Sequence, residues 1–329
     1  MTALPTVHIL FENPAWNPPL LDALTAAGFP YELHYLDEGV IDPSVPPADG
    51  IWINRISPSS HTRDHGHTVA MAREYLFWLE THGRRVINGS HAFELEMSKL
   101  RQELILRKYG VKTPRTVLAT GRNNLVELAR TFDGPFITKH NQGGKGLGIQ
   151  LFNDADVFAD YVESDAFDWG PDGKIILQQY IQPPEPFITR VELVGDRFLF
   201  AMRSRTDDGF QLCPSDACQV PATNPAVCPI DGEADEMPAN DSKFSLAPIT
   251  ANDPLVQQLL ALVQGEGIEV AGIEFVEDAD GNRYVYDING TTNYSGVLGK
   301  QIDIDGMTEV VRHLLDVVVP ALPGRSAAA

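Results

Sequence analysis

The sequence predicts an α/β protein of three lobes, on three observations. Strand and helix signals alternate along the first ninety or so residues. A glycine-rich loop has strands on both sides instead of running into a helix. Near the C terminus, two alternating strands meet at an Asp-Gly turn and carry acids on one face. A chain of 329 residues is also longer than one compact core usually holds.

Thr6–Phe11 (TVHILF) is an apolar strand, and Pro19–Ala27 has helical spacing that stops at Gly28. Tyr31–Tyr35 and Ile51–Asn54 are short strands; a helical pattern from about Thr62 to His82 closes at Gly83, and Arg85–Ile87 is another strand. This rhythm predicts a small parallel sheet covered by helices over residues 1–96. A second lobe, 97–173, opens with the amphipathic helix Ser98–Tyr109. It continues as strand Arg115–Ala119, helix Asn123–Phe132, strand Phe136–Lys139, the glycine loop, strand Ile149–Phe152 and a helix capped by Asp154. The third lobe, 174–323, has strands Ile175–Gln179, Phe187–Val194 and Arg197–Ser204, helix Pro254–Glu266, strands Glu269–Val276 and Arg283–Ile288, and a helix near Met307–Val319. Pro221–Pro248, with five prolines and many acids, has no periodicity; residues 324–329 read as a disordered tail.

Composition narrows the function. Hydrophobic residues make up 43% of the chain, enough for a real core, while a net charge of −20 repels phosphate backbones and anionic membranes. No apolar run reaches the roughly 18–20 residues of a spanning helix, and the start lacks the basic region of a signal peptide. Cys213, Cys218 and Cys228 are odd in number and lack paired zinc-ligand spacing, so they read as reduced thiols of a cytoplasmic protein. Chain order and charge leave the oligomeric state open, with a homodimer or homotetramer among the candidates.

Lys139–Ile149 reads KHNQGGKGLGI. Lys145 is followed by Gly146 where a P-loop needs Ser or Thr, and the glycines at 143, 144, 146 and 148 miss the dinucleotide spacing. The loop is therefore a hairpin tip. Its glycines can still turn successive N–H groups toward polyphosphate, and Lys139 and Lys145 add positive charge.

AGIEFVEDADGNRYVYDINGTTN carries the stronger signal. With Asp280-Gly281 as a two-residue turn, Glu274 stands opposite Asp287, and Asn289 points to the same face. Ile273, Phe275, Tyr286 and Ile288 fall on the other face as a core surface. Two facing carboxylates repel unless a cation lies between them or one is protonated, and an all-oxygen donor set suits Mg²⁺, with Mn²⁺ as an alternative ion.

The order of these elements (lysine-ended strand and glycine hairpin, then ILQQYI, then the acid–acid–Asn hairpin) resembles the ATP-grasp superfamily. It looks most like RimK-like carboxylate–amine ligases, with glutathione-synthetase-like enzymes more distant. VINGSHAFELEMSKLRQELILRKYGVKTPRT resembles that family's entry segment, ITRVELVGDRFLFAMRSR its arginine-bearing strands, and YVYDINGTTNYSG its metal segment. The resemblance spans nearly the whole chain. Thr291-Thr292 stand where Ser-Pro is usual, and Gln179 where an acid is common.

The resemblance implies an α+β ATP-grasp fold in which two αβ lobes clasp ATP after a Rossmann-like domain. Lys99 and Lys139 would contact the phosphates, with Gly143–Gly148 and Lys145 folding over them. Gln178, Gln179, Tyr180 and Ile181 would form the interlobe hinge on adenine, and Glu185 would face the ribose. Arg190, Arg203 and Arg205 would steady phosphate or acyl-phosphate charge, and Glu274, Asp287 and Asn289 would hold Mg²⁺. The implied activity is amide or peptide-bond formation on an amino acid or peptide, through an acyl phosphate with release of ADP and phosphate. The alternatives are a non-ligating ATP-binding regulator and a small-molecule kinase. In the first lobe, Asn54 and Arg55 end a strand, where open α/β sheets bind ligands, and Arg63 begins the next helix; a substrate-carboxylate role for Arg55 or Arg63 resembles the family's usage, with a solvated helix entrance as the alternative. Glu12–Trp16 is a further substrate-loop candidate, and His61 and His65 lie four apart.

Overall fold

A computed structural model describes residues 4–144, 146, 148–206 and 243–321. The three cysteines, Lys145, most of the 221–248 segment and the tail lie outside the described residues.

The chain opens with β1 (Val7–Phe11), α1 (Pro18–Ala26), β2 (Tyr31–Tyr35), β3 (Ile51–Arg55), α2 (Thr68–Thr81) and β4 (Arg85–Ile87). The four strands form a parallel sheet of order β2-β1-β3-β4. VHILF and IWINR are buried throughout, as strands covered on both faces must be. Val7 and Ile9 pack with Leu20 and Leu24 of α1, whereas Leu10 and Trp52 pack with Val69 and Leu76 of α2. Helix α2 starts at Thr68 and not near Thr62, because Ser60–Arg63 makes a separate 3₁₀ turn ended by Asp64 at φ +64°.

Two helices follow, α3 (Ser90–Glu96) and α4 (Lys99–Lys108), the latter capped by the Ser98 hydroxyl, which accepts from Arg101 N. Next come β5 (Thr116–Ala119), α5 (Arg122–Ala129), β6 (Phe136–His140), β7 (Gln150–Phe152), α6 (Ala155–Glu163) and β8 (Ile175–Gln179). They build an antiparallel sheet of order β5-β8-β6-β7 over a core of Leu125, Phe136, Phe152 and Phe158. Two expectations are corrected here. Ile175–Gln179 belongs to this sheet and not to the third lobe, since it pairs with β5 and β6. The helix expected to open the second lobe instead packs on the third: Leu106 and Val111 share a core with Ile273 and Ile288.

The last sheet contains β9 (Phe187–Val194), β10 (Arg197–Arg205), β11 (Phe244–Leu246), β12 (Val270–Glu277) and β13 (Arg283–Asn289), in the order β11-β10-β9-β12-β13. Helix α7 (Pro254–Gly265) covers one face through Val256, Leu259 and Val263. On the other face, helices α8 (Gly296–Gln301) and α9 (Gly306–His313) bring Leu298, Val310 and Val311 into one cluster with Val7 and Ile9 of the first sheet and Leu24 of α1. The helix expected through Val319 changes at Leu314–Val318 into a π turn. First and last sheets thus share a core, and the β5–β8 sheet meets the last one where Lys139 of β6 reaches Tyr286 O of β13 at 3.5 Å. No helix among the described residues is long and apolar enough to cross a membrane.

Candidate active site

The acidic hairpin is the floor of the site. Glu274 pairs with Asp287 across β12 and β13, and Gly272 pairs with Asn289. The turn differs from the expected one. Asp278 Oδ1 accepts from Asp280 N and Asn282 N, Gly281 N donates to Asp278 O, and Gly281 takes φ +78°. Strand pairing therefore stops at Glu277–Arg283, and a bulge between Glu274 and Phe275 restores the register beyond it. The bulge sends Tyr286 to the acidic face instead of the core, where its hydroxyl donates to Glu274 Oε2 at 3.3 Å, while Val285 takes its place in the core.

Three cations converge on these acids from three further elements. Lys99, first residue of α4, donates from Nζ to Asp287 Oδ1. Lys139, near the end of β6, lies 5.3 Å from the Tyr286 ring centre. Arg190 on β9 donates from Nε to Glu192 Oε1 at 2.8 Å and from Nη1 to Glu274 Oε1 at 2.9 Å. All three are buried. Burial and the Lys99 charge bring Lys139 down to about 8. Burial opposes the charge of Arg190, but Glu192 and Glu274 hold it above its ordinary range. For Glu274, burial and the Asp287 charge outweigh Arg190 and raise the carboxyl; for Asp287, burial is overcome by Lys99 and Lys139, which lower it.

These groups line one large cavity between the β5–β8 sheet and the last sheet. Gly143, Gly144 and Gly146 border it, with Gly146 and Gly148 at φ +73°, a conformation that a side chain would strain. Gln178, Gln179, Tyr180 and Ile181 line the opposite wall. Gln178 Nε2 donates to Thr116 Oγ1 at 2.8 Å and Tyr180 N to Pro135 O at 3.0 Å, which pins the segment where β8 leaves its sheet.

Residues 97–212 match the family model of the RimK-like ATP-grasp domain. A probable alpha-L-glutamate ligase of Xanthomonas campestris pv. campestris (strain 8004) is 26% identical over 72% of this chain and 71% of its own. The D-cycloserine synthetase DcsG superposes with a TM-score of 0.65 at 17% identity, covering 94% of this chain and 98% of that one. The ATP-grasp ligase PsnB, complexed with a phosphomimetic variant of minimal precursor, Mg and ADP, gives a TM-score of 0.60 at 14% identity over 95% and 98%. The fold is that of the ATP-grasp ligases, and residues 97–212 carry a RimK-like ATP-grasp domain.

Several expected residues stand away from the ATP-grasp cavity. On β10, Ser204 pairs with Ile188, and both Ile188 and Arg190 line the cavity. Arg203 and Arg205, at the alternate positions, therefore face away, with the Arg203 guanidinium 4.2 Å from the Phe187 ring centre. Glu185 is exposed and does not line this cavity, although Pro183 does. Asn54 is structural: its Nδ2 donates to Asn88 O at 3.2 Å and its Oδ1 accepts from Ile56 N at 3.1 Å. Arg55 donates to Trp16 O and Asn293 Oδ1, and burial lowers it to about 10. Arg63 grips buried Glu12 through Nε at 3.1 Å and Nη2 at 2.5 Å, and lies over the Trp16 ring at 4.8 Å. Arg55 and Arg63 thus sit behind Trp16 and Asn293, which line the cavity. His61 and His65 do not form a pair: His65 contacts Glu12 at 3.2 Å, and His61 contacts Pro58 O at the same distance.

Two residues gave no signal in the sequence. Asn88 uses its whole amide: Nδ2 donates to Val270 O and Gly290 O, and Oδ1 accepts from Glu269 N and Val270 N. It clamps the end of β4 to β12 and to the loop after β13. Glu96, at the end of α3, lines the cavity and accepts from Thr291 N at 3.1 Å and Thr291 Oγ1 at 2.7 Å. Burial raises its carboxyl to about 7 against those hydrogen bonds. A Cβ on Gly290 would lie 2.9 Å from Glu96 Oε2, so a side chain there would crowd this contact.

Proposed function

We propose that this protein is an ATP-dependent ligase that joins a carboxylate to an amine through an acyl phosphate, acting on an amino acid or a peptide. The observation that carries the reading is the convergence of Glu274, Asp287, Lys99, Lys139 and Arg190, from five separate elements, on one cavity bordered by the glycine hairpin.

The donor set fits Mg²⁺. Glu274, Asp287 and Asn289 offer hard oxygens on one face, and the raised Glu274 carboxyl indicates more negative charge than the buried pair easily holds without a cation. Held by Glu274, Asp287 and Asn289, the ion would supply positive charge that neutralises the transferring phosphoryl group. Lys99 and Lys139 would release their internal partners to phosphate oxygens, and the N–H groups of Gly143–Gly148 would close over them. Arg190 would hold Glu274 in its ionised, metal-binding orientation. The hinge segment Gln178–Ile181 would receive the adenine on backbone groups.

A carboxylate cannot expel oxide on attack by an amine. Its oxygen therefore displaces ADP from the γ-phosphorus and forms an acyl phosphate. The deprotonated amine then attacks the acyl carbon, inorganic phosphate departs, and the amine proton passes to a base. Enclosure between the two sheets would exclude water that would otherwise hydrolyse the intermediate. Glu96 lies in the same cavity, beside the loop carrying Thr291 and Thr292.

The test is ADP and phosphate release from protein, ATP and Mg²⁺ with pooled amino acids and short peptides, followed by mass spectrometry of the product. The expected result is substrate-dependent ADP matched by an amide product. Asp287→Ala and Lys139→Ala should abolish it while leaving the circular dichroism spectrum unchanged. Full activity in either variant, or ADP that never depends on an added acid and amine, would overturn the proposal.

A further inference from the structure

The parallel sheet carries a second group of ligand-bearing side chains, none of which lines the ATP-grasp cavity. His8 on β1 is the register partner of Glu32 on β2, and His34 lies two residues further along β2. By strand alternation all three point to the α2 side of the sheet, with the Trp52 indole beneath them. His8 Nδ1 is 3.1 Å from His34 Nε2 and 3.4 Å from Glu32 Oε2, and the three ligand atoms lie within 4.8 Å of one another. From these distances we infer that His8, Glu32 and His34 form a Zn²⁺ site with a fourth position left to water.

The dimensions suit that ion. Bonds of about 2.0–2.1 Å in a tetrahedron put neighbouring donors roughly 3.3–3.4 Å apart, close to the spacings present here. The tautomer also suits it. His8 Nε2 lies 3.2 Å from Asp49 O, and a carbonyl only accepts, so this nitrogen carries the hydrogen and Nδ1 turns its lone pair toward His34 and Glu32. A ligating histidine commonly gives its other N–H to such a carbonyl. Trp52 stacks on His8 with centroids 4.3 Å apart and meets His34 at 4.7 Å, which fixes both ring planes. Strand β2 is an edge strand, and the ion would tie it to β1 through side chains in addition to the backbone ladder.

The competing arrangement is a metal-free hydrogen bond from one imidazole to the other, and the full-length chain distinguishes them. Zn²⁺ titrated calorimetrically in Mg²⁺-free buffer should bind once per chain, and Co²⁺ should give tetrahedral d–d absorption and quench tryptophan fluorescence. Glu32→Gln and His34→Gln should weaken Zn²⁺ at least tenfold and remove the Co²⁺ band. Asp287→Asn should keep both signals, which separates this site from the acidic hairpin. Glu32 is exposed and His34 half-buried, so both variants should fold; His8 is buried and is left intact. Zn²⁺ should raise the melting temperature of the wild type and of Asp287→Asn, but not that of the Glu32 or His34 variants. No stoichiometric Zn²⁺ binding, or binding equally tight in Glu32→Gln and His34→Gln, would overturn the inference.

Discussion

Glu96→Gln isolates one buried charge at the edge of the cavity. The wild-type carboxyl rises from an ordinary 4.5 to about 7, chiefly through burial. Between these values the folded protein keeps a proton that the unfolded chain has released. Stability therefore falls as pH rises through this window, and the full cost is present above pH 7. At about 1.4 kcal/mol per pKa unit, the cost of ionising Glu96 in place reaches roughly 3 kcal/mol. Glutamine keeps an acceptor for Thr291 N and Thr291 Oγ1 but cannot ionise. Urea unfolding of both proteins at pH 5 and pH 8 should show Glu96→Gln gaining about 2.5 kcal/mol relative to wild type between the two, since a small part of the cost is already present at pH 5. A difference independent of pH would refute the assignment of Glu96 as a carboxyl neutral in the acid range.

Two further predictions concern the cations. Lys139, lowered to about 8, loses its charge as pH rises past that value, so ATP–Mg²⁺ affinity measured calorimetrically should weaken between pH 7.5 and 9, and Lys139→Arg should flatten the profile. Gly272→Ala would place a Cβ 2.0 Å from Arg190 Nη2, and that guanidinium is held by Glu192 and Glu274 and cannot simply swing aside. Overpacking of this kind should cost about 1–3 kcal/mol by urea unfolding. It should also lower kcat for ADP formation by disturbing Glu274, and unchanged activity would show that the Arg190–Glu274 contact is dispensable.

Much of the site was legible because local rules carry it. Period-two alternation in GIEFVE and YVYDIN aligns the acids, and a one-residue bulge offset the misjudged turn so that Glu274 still meets Asp287. The turn itself was misjudged because Asp278 captures the backbone of Asp280 and Asn282, a local competition hidden by the stronger Asp-Gly pattern. Arg203 and Arg205 illustrate a different loss. Both occur in an arginine-bearing motif, but only pairing of Ser204 with Ile188 tells which residues of β10 face the cavity. Asn54, Arg55 and Arg63 end where a ligand would be expected, yet partners distant in the chain occupy them.

What the amino-acid order determined alone was the set of elements, the faces of each strand and the glycines that allow a phosphate-binding loop. These follow from backbone sterics and side-chain period, which act over a few residues. Only the tertiary structure decided that β8 joins the second sheet, that α4 delivers Lys99 to Asp287, and that Glu96 is buried beside Thr291. Those outcomes depend on which faces find one another across separations from a few dozen residues, for β8, to nearly two hundred, for Lys99 and Glu96. The same long-range burial sets the charges of Lys139, Glu96 and Glu274, which no short window of sequence could specify.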